Sequence, residues 1–198
     1  MGKIWNLEQF GDHIAVKDEF GRQLTYTELK TEANRLAEKV GRRCLVFSLC
    51  RNEIGSLIGY IGFVNNGMVS VQLSSHLDDS LLQNLLATYQ PAFIWTPKEQ
   101  AAQYANTEII YSSFDYCLLK TGYEKEYPLF PELGLLITTS GSTGSPKFVR
   151  QSYTNLLDNA TSIAEYLKLD SSERPITTLP MNYVYGLSII NSHYLVGA

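Results

Sequence analysis

Between residues 44 and 95 the sequence alternates short apolar runs with stretches of helical period, and that alternation leaves few architectures open. Cys44-Leu45-Val46-Phe47-Ser48-Leu49 reads as a buried strand, residues 54–64 as an apolar helix, and Met68-Val69-Ser70-Val71-Gln72-Leu73 as a second strand. Leu81, Leu82, Leu85, Leu86 and Tyr89 then fall at helical spacing, Gln90-Pro91 ends that helix, and Ala92-Phe93-Ile94-Trp95 reads as the next strand. Parallel strands need crossovers, and these helices supply them. The fold class is therefore α/β, a mostly parallel sheet flanked by helices.

Outside this centre the patterns are shorter. Ile14-Ala15-Val16 and Gln23-Leu24-Thr25-Tyr26 flank a turn-rich insert and read as a hairpin. Thr27 is the expected N-cap of a helix whose apolar face is Leu29, Ala33, Leu36, Ala37 and Val40, with Gly41 as its stop. Residues 121–131 are rich in Gly, Pro, Tyr and charge, so 121–132 reads as a connector between a first α/β lobe (1–120) and the start of a second (133–198). That second part opens with strands at 133–138 and 147–151 and a helix from about Asn155 to Leu167. The apolar end, Tyr194-Leu195-Val196-Gly197-Ala198, lacks a capping or solubilising tail and reads as an unfinished element.

A hydrophobic fraction of 44% in 198 residues is that of an ordinary globular chain. The formal net charge of −4 offers no footprint for nucleic acid. The longest apolar run, 54–64, is shorter than the ~20 residues a bilayer crossing needs, so no membrane span is expected. The opening residues carry neither a secretory signal nor a myristoylation context. Cys44, Cys50 and Cys117 are unclustered, which suits reduced thiols in the cytoplasm better than a disulfide framework or zinc site.

The chemistry is concentrated in Thr139-Ser140-Gly141-Ser142-Thr143-Gly144-Ser145-Pro146-Lys147, which lies between two expected strands. Gly141 and Gly144 let backbone N–H groups approach an anion closely. The hydroxyls of Thr139, Ser140, Ser142 and Thr143 donate without adding charge, so they can follow a phosphate and release it as a leaving group. Lys147 adds a charge-assisted contact worth about 1.5–3 kcal/mol. Composition alone leaves open a Gly/Ser/Thr-rich surface connector. The spacing matches neither GxxxxGK[ST] nor GxGxxG.

This loop resembles the signature of the adenylate-forming (AMP-binding) superfamily, which includes acyl-CoA synthetases, luciferases and the adenylation domains of peptide synthetases. Three further stretches are similar in the expected order: residues 21–29 with the Asn34-Arg35-Leu36-Ala37 helix, residues 58–68, and residues 179–188. The resemblance implies an acid-thiol ligase. A carboxylic acid attacks the α-phosphate of ATP, with Mg²⁺, to give an acyl adenylate and pyrophosphate. A thiol, of coenzyme A or of phosphopantetheine on an acyl carrier protein, then takes the acyl group.

In that reading Thr139, Ser140, Gly141, Ser142, Thr143, Gly144 and Lys147 bind the ATP phosphates, and Lys147 also acts in catalysis. Where many members carry His in Pro-Leu-Phe-His-x-x-Gly, alignment on Pro180 and Gly186 puts Tyr183, the expected gate where acyl group and thiol meet. An aromatic packed against a following strand is the other reading of Tyr183. The family's adenine pocket, Mg²⁺-binding Glu, ribose-binding Asp and C-terminal catalytic Lys would all lie beyond Ala198, so no metal ligand is expected within this chain. The isolated chain is accordingly expected to bind ATP weakly at most and not to turn over. A non-catalytic nucleotide-binding or scaffold protein of the same fold is the alternative. Arg150 either assists phosphate charge or faces solvent. His13, His76 and His193 read as surface or structural residues, and Asp78-Asp79 as favourable charges at a helix start.

Overall fold

The computed structural model describes residues 4–138 and 148–198. Its centre is a seven-stranded sheet. Strands β1 (Ile14–Lys17) and β2 (Gln23–Thr25) form the expected antiparallel hairpin. They are followed by α1 (Tyr26–Val40), β3 (Leu45–Cys50), α2 (Ile54–Asn65), β4 (Val69–Ser74), α3 (Asp79–Tyr89) and β5 (Phe93–Pro97). The chain continues with β6 (Glu108–Ser113), β7 (Tyr116–Lys120), β8 (Leu133–Thr138), β9 (Phe148–Ser152), α4 (Tyr153–Leu167) and α5 (Val184–Val196). Strand order in the large sheet is β6-β7-β5-β3-β4-β8-β9.

The expected parallel strands make the middle of the sheet, where β3 pairs with β4 and β5, and β4 with β8. Antiparallel strands extend both edges: β7 and β6 beyond β5, and β9 beyond β8. Strands from either side of 121–132 therefore belong to one sheet.

Side-chain alternation sorts β3 between two cores, as a pleated strand covered on both faces requires. Leu45, Phe47 and Leu49 pack with Leu82, Leu85 and Leu86 of α3. Val46 and Cys50 join the cluster formed with α1, α2 and α5. Helix α2 is buried from Ile54 to Val64, so its glycines decide how closely its neighbours approach. A Cβ at Gly55 would lie 2.5 Å from the Tyr116 ring, one at Gly59 would lie 2.3 Å from the Trp95 indole, and one at Gly62 would lie 2.8 Å from the Ala33 carbonyl. Trp95, fully buried, donates its indole N–H to the Gly55 carbonyl at 2.8 Å.

Two helix ends differ from expectation. The N-cap of α1 is Thr25, not Thr27: Thr25 Oγ1 accepts from the Glu28 N–H at 3.1 Å, and Glu28 Oε2 accepts from the Thr25 N–H at 2.8 Å. This reciprocal box requires the hydroxyl three residues before the carboxylate, and Thr25 alone has that spacing. Thr25→Ala is expected to lower stability by about 1 kcal/mol, read as a shifted urea midpoint at unchanged slope. At the other end, Gly197 adopts φ +79° and caps α5, its N–H bonded to the His193 carbonyl, so Tyr194 to Gly197 complete a helix and its cap. The helix is tied to the opening segment, because Trp5 Nε1 donates to the Asn191 carbonyl (3.4 Å), Tyr194 Oη to Ala15 (2.8 Å) and Tyr26 Oη to Ala198 (2.7 Å).

One guanidinium organises the supports of β8. Arg43 donates to the carbonyls of Phe130 (2.6 Å), Leu133 (2.8 Å) and Gly67, and to Tyr153 Oη (3.1 Å). Five N–H donors in a rigid fork suit Arg to collecting carbonyls from several segments. The beginning of β8 and the start of α4 are thereby held to the β3–β4 region.

Candidate active site

Because β3, β4 and β8 run parallel, their carboxyl ends share one edge, and crevices outside that edge are where open α/β sheets bind ligands. The loop 139–147 leaves this edge from β8 and returns on β9. Its flanks, Thr138 and Phe148, face each other across the antiparallel ladder. The assigned phosphate ligands Thr139, Ser140, Gly141, Ser142, Thr143, Gly144 and Lys147 lie outside the described residues. What is described is their mounting, a two-stranded support ending at the sheet's carboxyl edge.

The block 179–188 reaches the same edge by a different route. Residues 171–178 run exposed between α4 and α5. The chain is then drawn onto the loop after β3 by Asn52, whose Nδ2 donates to the carbonyls of Thr177 (2.7 Å) and Leu179 (3.0 Å). Asn52 Oδ1 accepts from the Met181 N–H at 3.1 Å, and the Met181 side chain is buried. A turn follows, in which the Tyr183 N–H bonds to the Pro180 carbonyl at 3.2 Å. Gly186 closes over it so tightly that a Cβ there would lie 2.3 Å from the Pro180 oxygen. The glycine of this block is thus a packing requirement.

Tyr183 is the N-cap of α5 and is 45% exposed. The element after it is a helix, so packing against a following strand does not account for this side chain. Asn52 and Glu53 carry no signal in the sequence, where Arg51-Asn52-Glu53 looks like an ordinary polar break between a strand and a helix. Burial raises the Glu53 carboxyl above its usual range despite Arg51 at 3.7 Å. Glu53 and Met181 line a cavity of about 690 Å³ between the hairpin, the start of α2 and α5.

The remaining candidates separate cleanly. Arg150 is exposed, as are His13 and His76, while His193 Nδ1 contacts the Ile189 carbonyl at 2.7 Å within α5. Asp78 caps α3 by accepting from the Leu81 N–H at 3.1 Å. All three cysteines are free thiols. Burial pushes Cys44 up to about 11 and Cys50 up to about 12, and Cys50 donates to Gln72 Oε1 at 2.6 Å. Thiols raised in this way are poor nucleophiles at neutral pH. Among the described residues no group of His, Cys, Asp or Glu is arranged to hold a metal ion. No described helix is long and apolar enough to cross a membrane.

A family model described as AMP-binding enzyme matches residues 4–198. A 2-succinylbenzoate–CoA ligase of Oceanobacillus iheyensis is 26% identical over 196 residues, covering 94% of this chain and 40% of that ligase. Gramicidin S synthase 2 of Brevibacillus brevis is 27% identical over 160 residues, 76% of this chain and 4% of that protein. In the crystal structure of apo MatB from Rhodopseudomonas palustris the same fold is found with a TM-score of 0.80 at 16% identity, over 99% of this chain and 44% of that one. This chain therefore spans well under two thirds of the length of each. The family model, matched along nearly all of the sequence, settles the membership that the loop and its flanking blocks pointed to: the chain belongs to the AMP-binding enzyme family.

Proposed function

We propose that this chain supplies part of an enzyme that activates a carboxylic acid with ATP and passes the acyl group to a thiol. A carboxylate oxygen bonds to the α-phosphorus as the bond to pyrophosphate breaks. The thiol sulfur then bonds to the acyl carbon as AMP leaves, and the thiol proton passes to solvent. Thr139, Ser140, Gly141, Ser142, Thr143, Gly144 and Lys147 would hold the β- and γ-phosphates, and Tyr183 would line the meeting point of acyl group and thiol. The donor set fits the ligand: neutral hydroxyls, glycine N–H groups and one ammonium match anionic oxygens that must be gripped and then released. Mg²⁺, which would neutralise phosphate charge, would take its ligands from outside the described residues.

The observation that carries the reading is that the loop's flanks, Thr138 and Phe148, and the strap of residues 177–183 held by Asn52 both lie at the sheet's carboxyl edge. The ligase relative's name supports coenzyme A as the thiol, and a phosphopantetheine carrier is the other acceptor within the proposal. Three free thiols support a reducing compartment, the cytoplasm. A two-lobe division at 121–132 is part of the same proposal, although β8 is flanked by β4 and β9 in one sheet, so it requires further strands to extend that sheet beyond β9.

A carboxylate-dependent ATP–pyrophosphate exchange assay on the complete protein tests the function. Exchange above the acid-free background is expected with at least one acid of a broad panel, and should vanish on removal of Mg²⁺. No exchange with any acid would leave a non-catalytic scaffold as the better account. The 198-residue chain alone is expected to give none.

A further inference from the structure

Asn52 spends its whole amide on a segment 125 to 129 residues away in sequence: both donors on the carbonyls of Thr177 and Leu179, the acceptor on the Met181 N–H. Among the described residues, these are the only hydrogen bonds tying 177–181 to another element. Asn52 is itself exposed, so water would satisfy its amide equally well in the strap's absence. Three directional bonds at such a place contribute little to stability and much to position.

The base of this tie is rigid. Tyr116, fully buried in β7, donates its hydroxyl to the Leu49 carbonyl at 3.0 Å and accepts from the Arg51 N–H at 3.1 Å. Arg51 also bonds Ser75 Oγ at 3.0 Å and Glu99 Oε1 at 2.5 Å. Two residues past the Asn52–Met181 bond stands Tyr183, its turn packed against Gly186 without room for a Cβ. A movement of the Asn52 amide is thus passed to the N-cap of α5 with little slack.

We propose that Asn52 is a positioning residue for the acyl-transfer half of the site: its amide sets where Tyr183 stands relative to the carboxyl edge of the sheet. The proposal rests on the functional reading above for its catalytic consequence, though not for its geometry. Misplacing a group that lines a reaction site is costly in rate even where the fold is intact.

Two measurements test it. Hydrogen exchange on the 198-residue chain reads the tie alone. Asn52→Ala is expected to speed exchange across 177–186 at least about tenfold while β3 and β4 keep their protection. Asn52→Asp retains an acceptor but sets a carboxylate against two carbonyls, so it should not restore protection across that segment. Unchanged exchange in both variants would overturn the tie.

In the complete protein, with coenzyme A and pantetheine as thiols and the acid that gives strongest exchange, Asn52→Ala should slow thioester formation about tenfold or raise the thiol KM by as much. Pyrophosphate exchange should stay within about twofold of wild type. Parallel loss of both half-reactions, or loss of neither, would overturn the positioning role. If the wild-type protein shows no exchange with any acid, the functional reading fails, and hydrogen exchange still decides the Asn52 tie.

Discussion

Gly59→Ala should destabilise the protein by about 1–3 kcal/mol or more, although it adds a single methyl group to a helix that would otherwise favour alanine. The added Cβ would lie 2.3 Å from Cδ1 and 2.4 Å from Nε1 of Trp95, inside contact distance for any pair of atoms. Trp95 has nowhere to retreat: it is fully buried, stacks with Tyr111 at a centroid distance of 6.5 Å, and has its N–H committed to the Gly55 carbonyl. Urea denaturation of the variant would show an early midpoint, and the double variant with Trp95→Phe should recover part of the loss. Additive losses in the double variant would mean that the Gly59–Trp95 contact is not the cause.

Lys147→Ala in the complete protein should reduce pyrophosphate exchange by about 10- to 100-fold, the equivalent of losing a charge-assisted contact of about 1.5–3 kcal/mol. Ser142→Ala, which removes a neutral donor, should cost about 2- to 10-fold by the same conversion. Both variants should keep their denaturation midpoints, since a loop group that meets only a ligand gives little to the unliganded fold. Stability and activity falling together would make the loop a structural feature of the sheet's end.

What could be read from the sequence followed the strength of each physical signal. The β3–α2–β4–α3–β5 series announced itself because buried parallel strands are continuously apolar and their crossovers carry helical period. Bounds slipped by about one residue, as at β3, where the pattern ran 44–49 and the strand is Leu45–Cys50. The β6–β7 hairpin gave no usable signal. Its turn uses Phe114 at φ +50°, where a Gly, Asn or Asp would have marked the reversal. The α1 cap is hard to place from sequence because Thr25 also fits the end of a strand, and only its spacing to Glu28 separates the two readings.

The site divides in the same way. The loop 139–147 stands out in the sequence because its composition is itself chemistry, and its assigned phosphate ligands lie outside the described residues. Gly186 was legible as part of a block, although its reason, contact with Pro180, is tertiary. Asn52 was invisible, since an asparagine in a break between strand and helix says nothing about carbonyls 125 residues later. Residues that position others leave no local trace, because their partners are chosen by the fold.

The stitching of α5 to the opening segment sets a timetable for the nascent chain. Trp5, Ala15 and Tyr26 find their partners at Asn191, Tyr194 and Ala198, separations of 186, 179 and 172 residues. At about 5–20 residues per second of synthesis, Trp5, the first strand hairpin and Tyr26 wait roughly 10–40 s after emerging before the helix that covers them exists. Until then the surfaces of Trp5 and Tyr26 that α5 covers in the finished fold stay open, and that interval is when the growing chain is most prone to wrong apolar contacts.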